Sequence, residues 1–122
     1  PSAVAAVGRA LAPLRDEGVL LLGSGGLVHN LRSLDWENRD APPASWAVEF
    51  ETWVRGRLAV RDDEALLAYR ERGPHALRAH PTAEHVDPLF FALGAAAGEP
   101  CRSVFDGFEF ATLSMGSFAF GR

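Results

Sequence analysis

The chain has 122 residues, 48% of them hydrophobic, with 12 Gly and 8 Pro, enough to bury one compact core and too apolar for disorder to be its main state. Its formal net charge is −4, and all twelve basic residues are arginines scattered from Arg9 to Arg122, so no basic patch argues for nucleic acid. A single cysteine, Cys101, excludes an internal disulfide and a thiolate metal cage, the apolar run Val19–Leu22 is too short to span a bilayer, and no signal peptide pattern opens the chain. A cytoplasmic protein without membrane contact is expected.

Val4, Val7, Leu11 and Leu14 recur at spacings of three and four, which predicts a helix that Ser2 can cap and that Pro13 and Gly18 end. Val19 to Leu22 then read as an inner strand covered on both faces, so that helix and strand together suggest an α/β layer. The strand runs into Gly23-Ser-Gly-Gly-Leu-Val-His-Asn30, where three glycines permit positive φ and close backbone approach to a ligand. In open α/β sheets ligands bind at the carboxyl ends of strands, which puts His29 in a favoured place.

Residues 31–45 form an irregular connection, long enough to be the rim of a pocket. Beyond it Trp46, Phe50, Trp53 and Leu58 lie on one stripe of an amphipathic helix, with Glu49, Glu51, Arg55 and Arg57 mostly off that stripe. Asp62 or Asp63 can cap a second short helix carrying Leu66, Leu67 and Tyr69, which Gly73-Pro74 stops. Leu89, Phe90, Leu93 and Ala97 mark a further helix that Gly98 closes, started by Asp87 with Pro88 at its first position, although Thr82 can cap an earlier turn. Val104, Phe108, Phe110, Phe118 and Phe120 predict two terminal strands in one hairpin.

Four histidines can carry chemistry: His29, His75, His80 and His85. Imidazole transfers protons near neutral pH and binds first-row metals through a neutral nitrogen, and a helix amino end close to His85 disfavours its cation. Against a metal site, His80 and His85 are five apart across a proline, which is not a recognised zinc spacing. His75, between Pro74 and Ala76, reads as a surface residue, and Glu84 as an acid, a partner of His85 or an exposed carboxylate at a helix start. A hydrolase using Ser24 and His29 fails on its motif, since Gly-x-Ser-x-Gly needs glycine where Leu22 stands, and a phosphate loop fails because the chain has no lysine.

Taken together, Gly23-Ser-Gly-Gly-Leu-Val-His-Asn-Leu-Arg32, Trp46-Ala-x-x-Phe-x-x-Trp53, Ala79-His-Pro-Thr-Ala-Glu-His85 with Pro88-Leu89, Leu93-Gly-Ala-Ala96 and Leu113-Ser-Met115 resemble the DOPA-dioxygenase branch of the class III, LigB-like, extradiol ring-cleavage dioxygenases. The resemblance runs along nearly the whole chain. It implies an α/β fold with a mixed β-sheet and flanking helices, a non-haem Fe(II) centre in which Zn(II) often takes iron's place, and cleavage of a catecholic small molecule by O2. It also implies that His85 is a metal ligand, that His29 is an acid/base or an additional ligand, and that His80, with Ser24 and Asn30, faces the substrate or O2.

Family members are roughly twice this length, and their first two metal histidines lie in an amino-terminal half absent here. With Pro1 first and no initiating Met, residues 1–122 read as the carboxyl-terminal part of a single catalytic domain. Weak metal binding, little turnover by this piece alone, and homo-oligomerisation or pairing with a complementary amino-terminal chain are expected. The alternative is a non-catalytic remnant of the fold serving as an assembly or binding module. The enzyme reading requires three imidazoles from separate stretches to converge on one ion.

Overall fold

The computed structural model describes residues 1–121. Helix α1 (Ser2–Leu11) continues into a 3-10 turn (Ala12–Glu17) that Gly18 closes in the left-handed region at φ 81°. Ser2 is the first helical residue rather than the cap, a place taken by Pro1 without a side-chain bond. The buried positions of α1 are Ala5 and Gly8, while Val7 and Leu11 are exposed. Backbone proximity decides this: a Cβ on Gly8 would lie 2.1 Å from the Phe91 carbonyl oxygen of helix α6 (Asp87–Ala95), and one on Gly94 would lie 2.0 Å from that of Ala5. Two helices this close bury their smallest residues at the crossing, which leaves Val7 and Leu11 outside and Val4 packed at the core's edge.

Val19 to Leu22 form no ladder, contrary to the expected inner strand. Leu20 and Leu22 are 84% and 77% exposed and Leu21 half-buried, because no strand among the described residues pairs with the run, whose one backbone bond is Val19 N–H to Leu14 O. The 31–45 connection is irregular as expected, apart from a 3-10 turn at Leu31–Ser33. It is strapped to the sheet region through Asp35 N–H to Phe110 O, Phe110 N–H to Arg39 O and Ala44 N–H to Ala111 O, and it does not line the cavity beside His85.

Helix α2 (Ser45–Ala59) buries Trp46, Phe50, Val54 and Leu58, four residues apart along one stripe. Glu51, expected off the stripe, is also buried, where its carboxylate accepts from Arg55 Nε at 2.7 Å. Asp62 caps α3 (Asp63–Leu67) by accepting from Ala65 N–H at 3.1 Å. The expected single helix breaks at Ala68, and α4 (Tyr69–Arg72) ends at Gly73. A short α5 (Ala76–Ala79) then leads to His80. Helix α6 is preceded by Val86 with no side-chain cap; Asp87 and Pro88 are inside its first turn, and Thr82 Oγ1 donates to Glu84 instead of capping a turn. The helix stops at Ala95, short of the expected Ala97, and Gly98 follows at φ 85°.

The terminal region holds four short strands rather than two. β1 (Cys101–Phe105) pairs antiparallel with β4 (Ser117–Phe120), and β2 (Phe108–Glu109) pairs antiparallel with β3 (Leu113–Ser114) inside that outer pair. The core lies between α2, the α3–α5 segment and α6, centred on Phe50, Tyr69, His80 and Phe90, all almost fully enclosed.

Candidate functional site

The loop from Gly23 to Asn30 lies against the segment from Ala79 to Pro88, and hydrogen bonds stitch the two together. Gly26 N–H donates to His85 O at 2.7 Å, and His29 N–H donates to Ala79 O at 3.1 Å. Val28 O accepts from Ser114 N–H of β3, which anchors the same loop on its other side. The glycines permit this approach, though not for the reason the sequence suggested. Gly23, Gly25 and Gly26 do not have positive φ; a Cβ on Gly25 would lie 2.3 Å from His85 O, and one on Gly23 would lie 2.3 Å from Pro88 O. The missing side chains admit the protein's own backbone rather than a ligand.

This stitching brings His29 and His85 face to face, with ring centroids 3.6 Å apart and planes 20° from parallel. Partial burial lowers the pKa of His29 below its ordinary value, and the neighbouring His85 lowers it further. A neutral imidazole follows at pH 7, with one ring nitrogen free to accept a proton or bind a cation. Glu84 Oε1 stands 3.8 Å from His85 Nε2, and the bond from Thr82, ahead of other causes, holds its carboxyl below the usual range. A cavity of about 280 Å³ opens beside His85, with Ser24 and Gly26 on one wall and Leu89, Phe118 and Phe120 supplying apolar surface.

The remaining site candidates are placed differently. His80 is fully enclosed, its Nε2 2.6 Å from the Leu27 carbonyl and its ring edge-on to Phe50 and Tyr69, so it does not face an open site. Its pKa is lowered to about 4, chiefly by burial. The expected convergence of three imidazoles is therefore a convergence of two, because the hydrogen bond to Leu27 holds the third ring in the core. Asn30 is tied to the chain: its Nδ2 donates to Arg78 O at 2.7 Å, and its Oδ1 accepts from Arg32 N–H at 3.2 Å, capping the 3-10 turn. Ser24 is exposed on the cavity wall, and no hydrogen bond joins it to a histidine among the described residues. His75 is on the surface, 2.8 Å from Glu49.

Two stacked, partly exposed imidazoles offer nitrogen donors suited to Fe(II) or Zn(II). No group of three His, Cys, Asp or Glu side chains able to hold an ion occurs among the described residues. Resident metals usually take three or more protein ligands, so the chain carries part of a donor set that fits in type and falls short in number. Sequence reasoning missed the acceptors that join the two stretches: the carbonyls of Leu27 for His80, of Ala79 for His29 and of His85 for Gly26. The adjacent glycines at 25 and 26 were their signal, since a pair without side chains marks close backbone packing as readily as a ligand.

Residues 1–121 match the family described as the catalytic LigB subunit of aromatic ring-opening dioxygenase. The chain belongs to the LigB family. Curated relatives of this LigB-family chain include a 4,5-DOPA dioxygenase extradiol of Escherichia coli K12, 40% identical over 119 residues, and one of Beta vulgaris, 36% identical over 121 residues. These alignments cover 94% and 93% of the chain and 43% and 42% of the relatives, so the chain spans less than half their length. The crystal structure of an uncharacterized protein from Escherichia coli K12 superposes with a TM-score of 0.81 at 36% identity, over 97% of this chain and 49% of that one. The architecture is accordingly part of the α/β LigB-like fold. No helix among the described residues is long and apolar enough to cross a membrane.

Proposed function

We propose that this LigB-family chain forms part of an extradiol dioxygenase that opens a catecholic ring beside its two hydroxyls with O2, in the cytoplasm. The observation that carries the reading is the meeting of His29 and His85 from distant stretches of a chain matched to ring-opening dioxygenases. His85 would hold a non-haem Fe(II), or Zn(II) in its place, together with ligands from outside this chain, and His29 would stand beside it as the acid/base. When bound, the ion supplies positive charge that favours a deprotonated catechol and the redox chemistry that O2 requires.

His29 is the residue of this chain fitted to move protons. Its lowered pKa keeps a ring nitrogen unprotonated at neutral pH, so that nitrogen can take a catechol hydroxyl proton and return one as the ring opens. Ser24, on the cavity wall beside His85, would contact the substrate. Asn30, bound to Arg78 and Arg32, would act by fixing the loop that carries His29. The exposed run Val19–Leu22 would be a strand whose partners belong to a complementary chain segment or a second copy, covering surface that a soluble protein rarely leaves open.

The test is metal content together with the appearance of a yellow semialdehyde from a catechol, in the full-length natural protein. Wild-type protein should hold iron or zinc and form colour. His85→Ala should empty the site, and His29→Ala should lower turnover far more than occupancy. Equal loss of both in His29→Ala would make His29 a ligand rather than a base. No metal and no colour in that protein would leave an assembly module in place of an enzyme.

A further inference from the structure

The residue sealed beneath the loop is the one whose chemistry the proposed reaction does not use. His80 has no exposed surface, and it packs edge-on against Phe50 and Tyr69 at centroid distances of 5.7 and 6.1 Å. Its Nε2 lies 2.6 Å from Leu27 O, and a carbonyl can only accept, so Nε2 carries the proton and donates. That leaves Nδ1 as a bare acceptor, buried and without a hydrogen-bond partner. A phenyl ring would fill the same space without an orphaned nitrogen, so what imidazole adds at this position is the Nε2–H.

That bond is one of three between the same two stretches. Gly26 N–H to His85 O and His29 N–H to Ala79 O are backbone pairs on either side of it, and the His80 bond to Leu27 is the side-chain member of the set. The two backbone pairs fix the loop at its ends, while Leu27 O between them would otherwise be free to rotate with its peptide. Rotation there would carry Val28 and His29 with it. Val28 is itself fully buried and its carbonyl accepts from Ser114 N–H, so the loop has little room to adjust.

We propose that His80 is a positioning residue: its Nε2–H holds the Leu27 carbonyl and thereby sets His29 against His85. For catalysis the inference rests on the ring-cleavage reading given above; for the geometry it does not. It places His80 under the site and out of reach of substrate and O2.

The experiment uses the full-length natural protein with His80→Phe, which keeps a ring and removes the donor, and His80→Gln, which keeps an N–H at similar reach. Nitrogen-15 long-range correlation spectra should show wild-type His80 as the neutral Nε2–H tautomer. In His80→Phe the His29 ring resonances should move or broaden, and His80→Gln should restore them. With a catechol, His80→Phe should lower kcat by about 10- to 100-fold with little change in KM or metal content, the size expected when a group is misplaced by about an ångström. His80→Gln should recover most of that loss. A wild-type Nδ1–H tautomer, unchanged His29 resonances in His80→Phe, or equal damage by Phe and Gln would overturn the proposal. If the wild-type protein opens no catechol, the ring-cleavage reading fails while the spectra still decide the role of His80. If His80→Phe does not fold, the tautomer and the Gln variant decide it.

Discussion

Gly25→Ala tests the packing that joins the two histidines. The added Cβ would lie 2.3 Å from His85 O and 2.9 Å from Pro88 Cγ, where ordinary contact begins near 3.4 Å. The obstruction at His85 is backbone, so no side chain can swing aside, and the loop must retreat by about an ångström. Retreat stretches the Gly26 N–H to His85 O bond beyond its present 2.7 Å. Overpacking of this kind costs about 1–3 kcal/mol, and losing one hydrogen bond adds about 1 kcal/mol. Urea unfolding followed by tryptophan fluorescence should therefore show Gly25→Ala less stable by about 2–4 kcal/mol, combining those two costs. The His29 and His85 ring resonances should lose their mutual ring-current shifts in the same variant. Wild-type stability with unchanged resonances would refute the claim that the glycines admit the 85–88 backbone.

Gly56→Ala is the matched control with the opposite sign: Gly56 is inside α2 with nothing within 4 Å of a built Cβ, so the variant should gain about 0.5–1 kcal/mol in the same unfolding assay. Replacing Leu22 with Lys, at a position 77% exposed, should leave that unfolding free energy within about 0.5 kcal/mol of wild type, while lowering any self-association seen by sedimentation. Stability should also depend on pH through His80. The unfolded chain protonates this residue near 6.5 and the folded chain near 4, so between those values the unfolded state binds the extra proton. Stability falls as pH falls from 6.5 and levels off below about 4, a loss of about 3 kcal/mol from this group. The difference between wild type and His80→Gln in urea titrations at pH 7 and pH 4 isolates it, and parallel curves would contradict the assignment.

How much of this could be read in advance varies with how local the cause is. The α2 stripe was legible because Trp46, Phe50 and Leu58 recur at the helical repeat and face one core. The end of α3–α4 at Gly73 was legible for the same local reason, whereas the break at Ala68 left no turn residue to announce it. In α1 the apolar repeat is only half right: Val4 packs against the core and Leu14 is half-buried, but Val7 and Leu11 are exposed, while Gly8 and Ala5 carry the close approach to α6. Periodicity weighs size and apolarity, and a helix crossing at backbone distance selects for neither.

The site divides along the same line. Sequence likeness pointed to His29 and His85, and the fold brings them together. It grouped His80 with them because His80 and His85 share one motif, yet five residues from His80 to His85 pass through Pro81 and a turn before α6, so the two rings need not share a side. What separates them is the destination of one hydrogen bond. Leu27 O lies on the inner side of the loop that carries His29 on its open side, and a histidine donating to that carbonyl is committed to the core. A site drawn from the motifs alone would gather three imidazoles of this chain around one ion. The direction of the Leu27 carbonyl reduces the count to two, and it makes the third imidazole a support for the first.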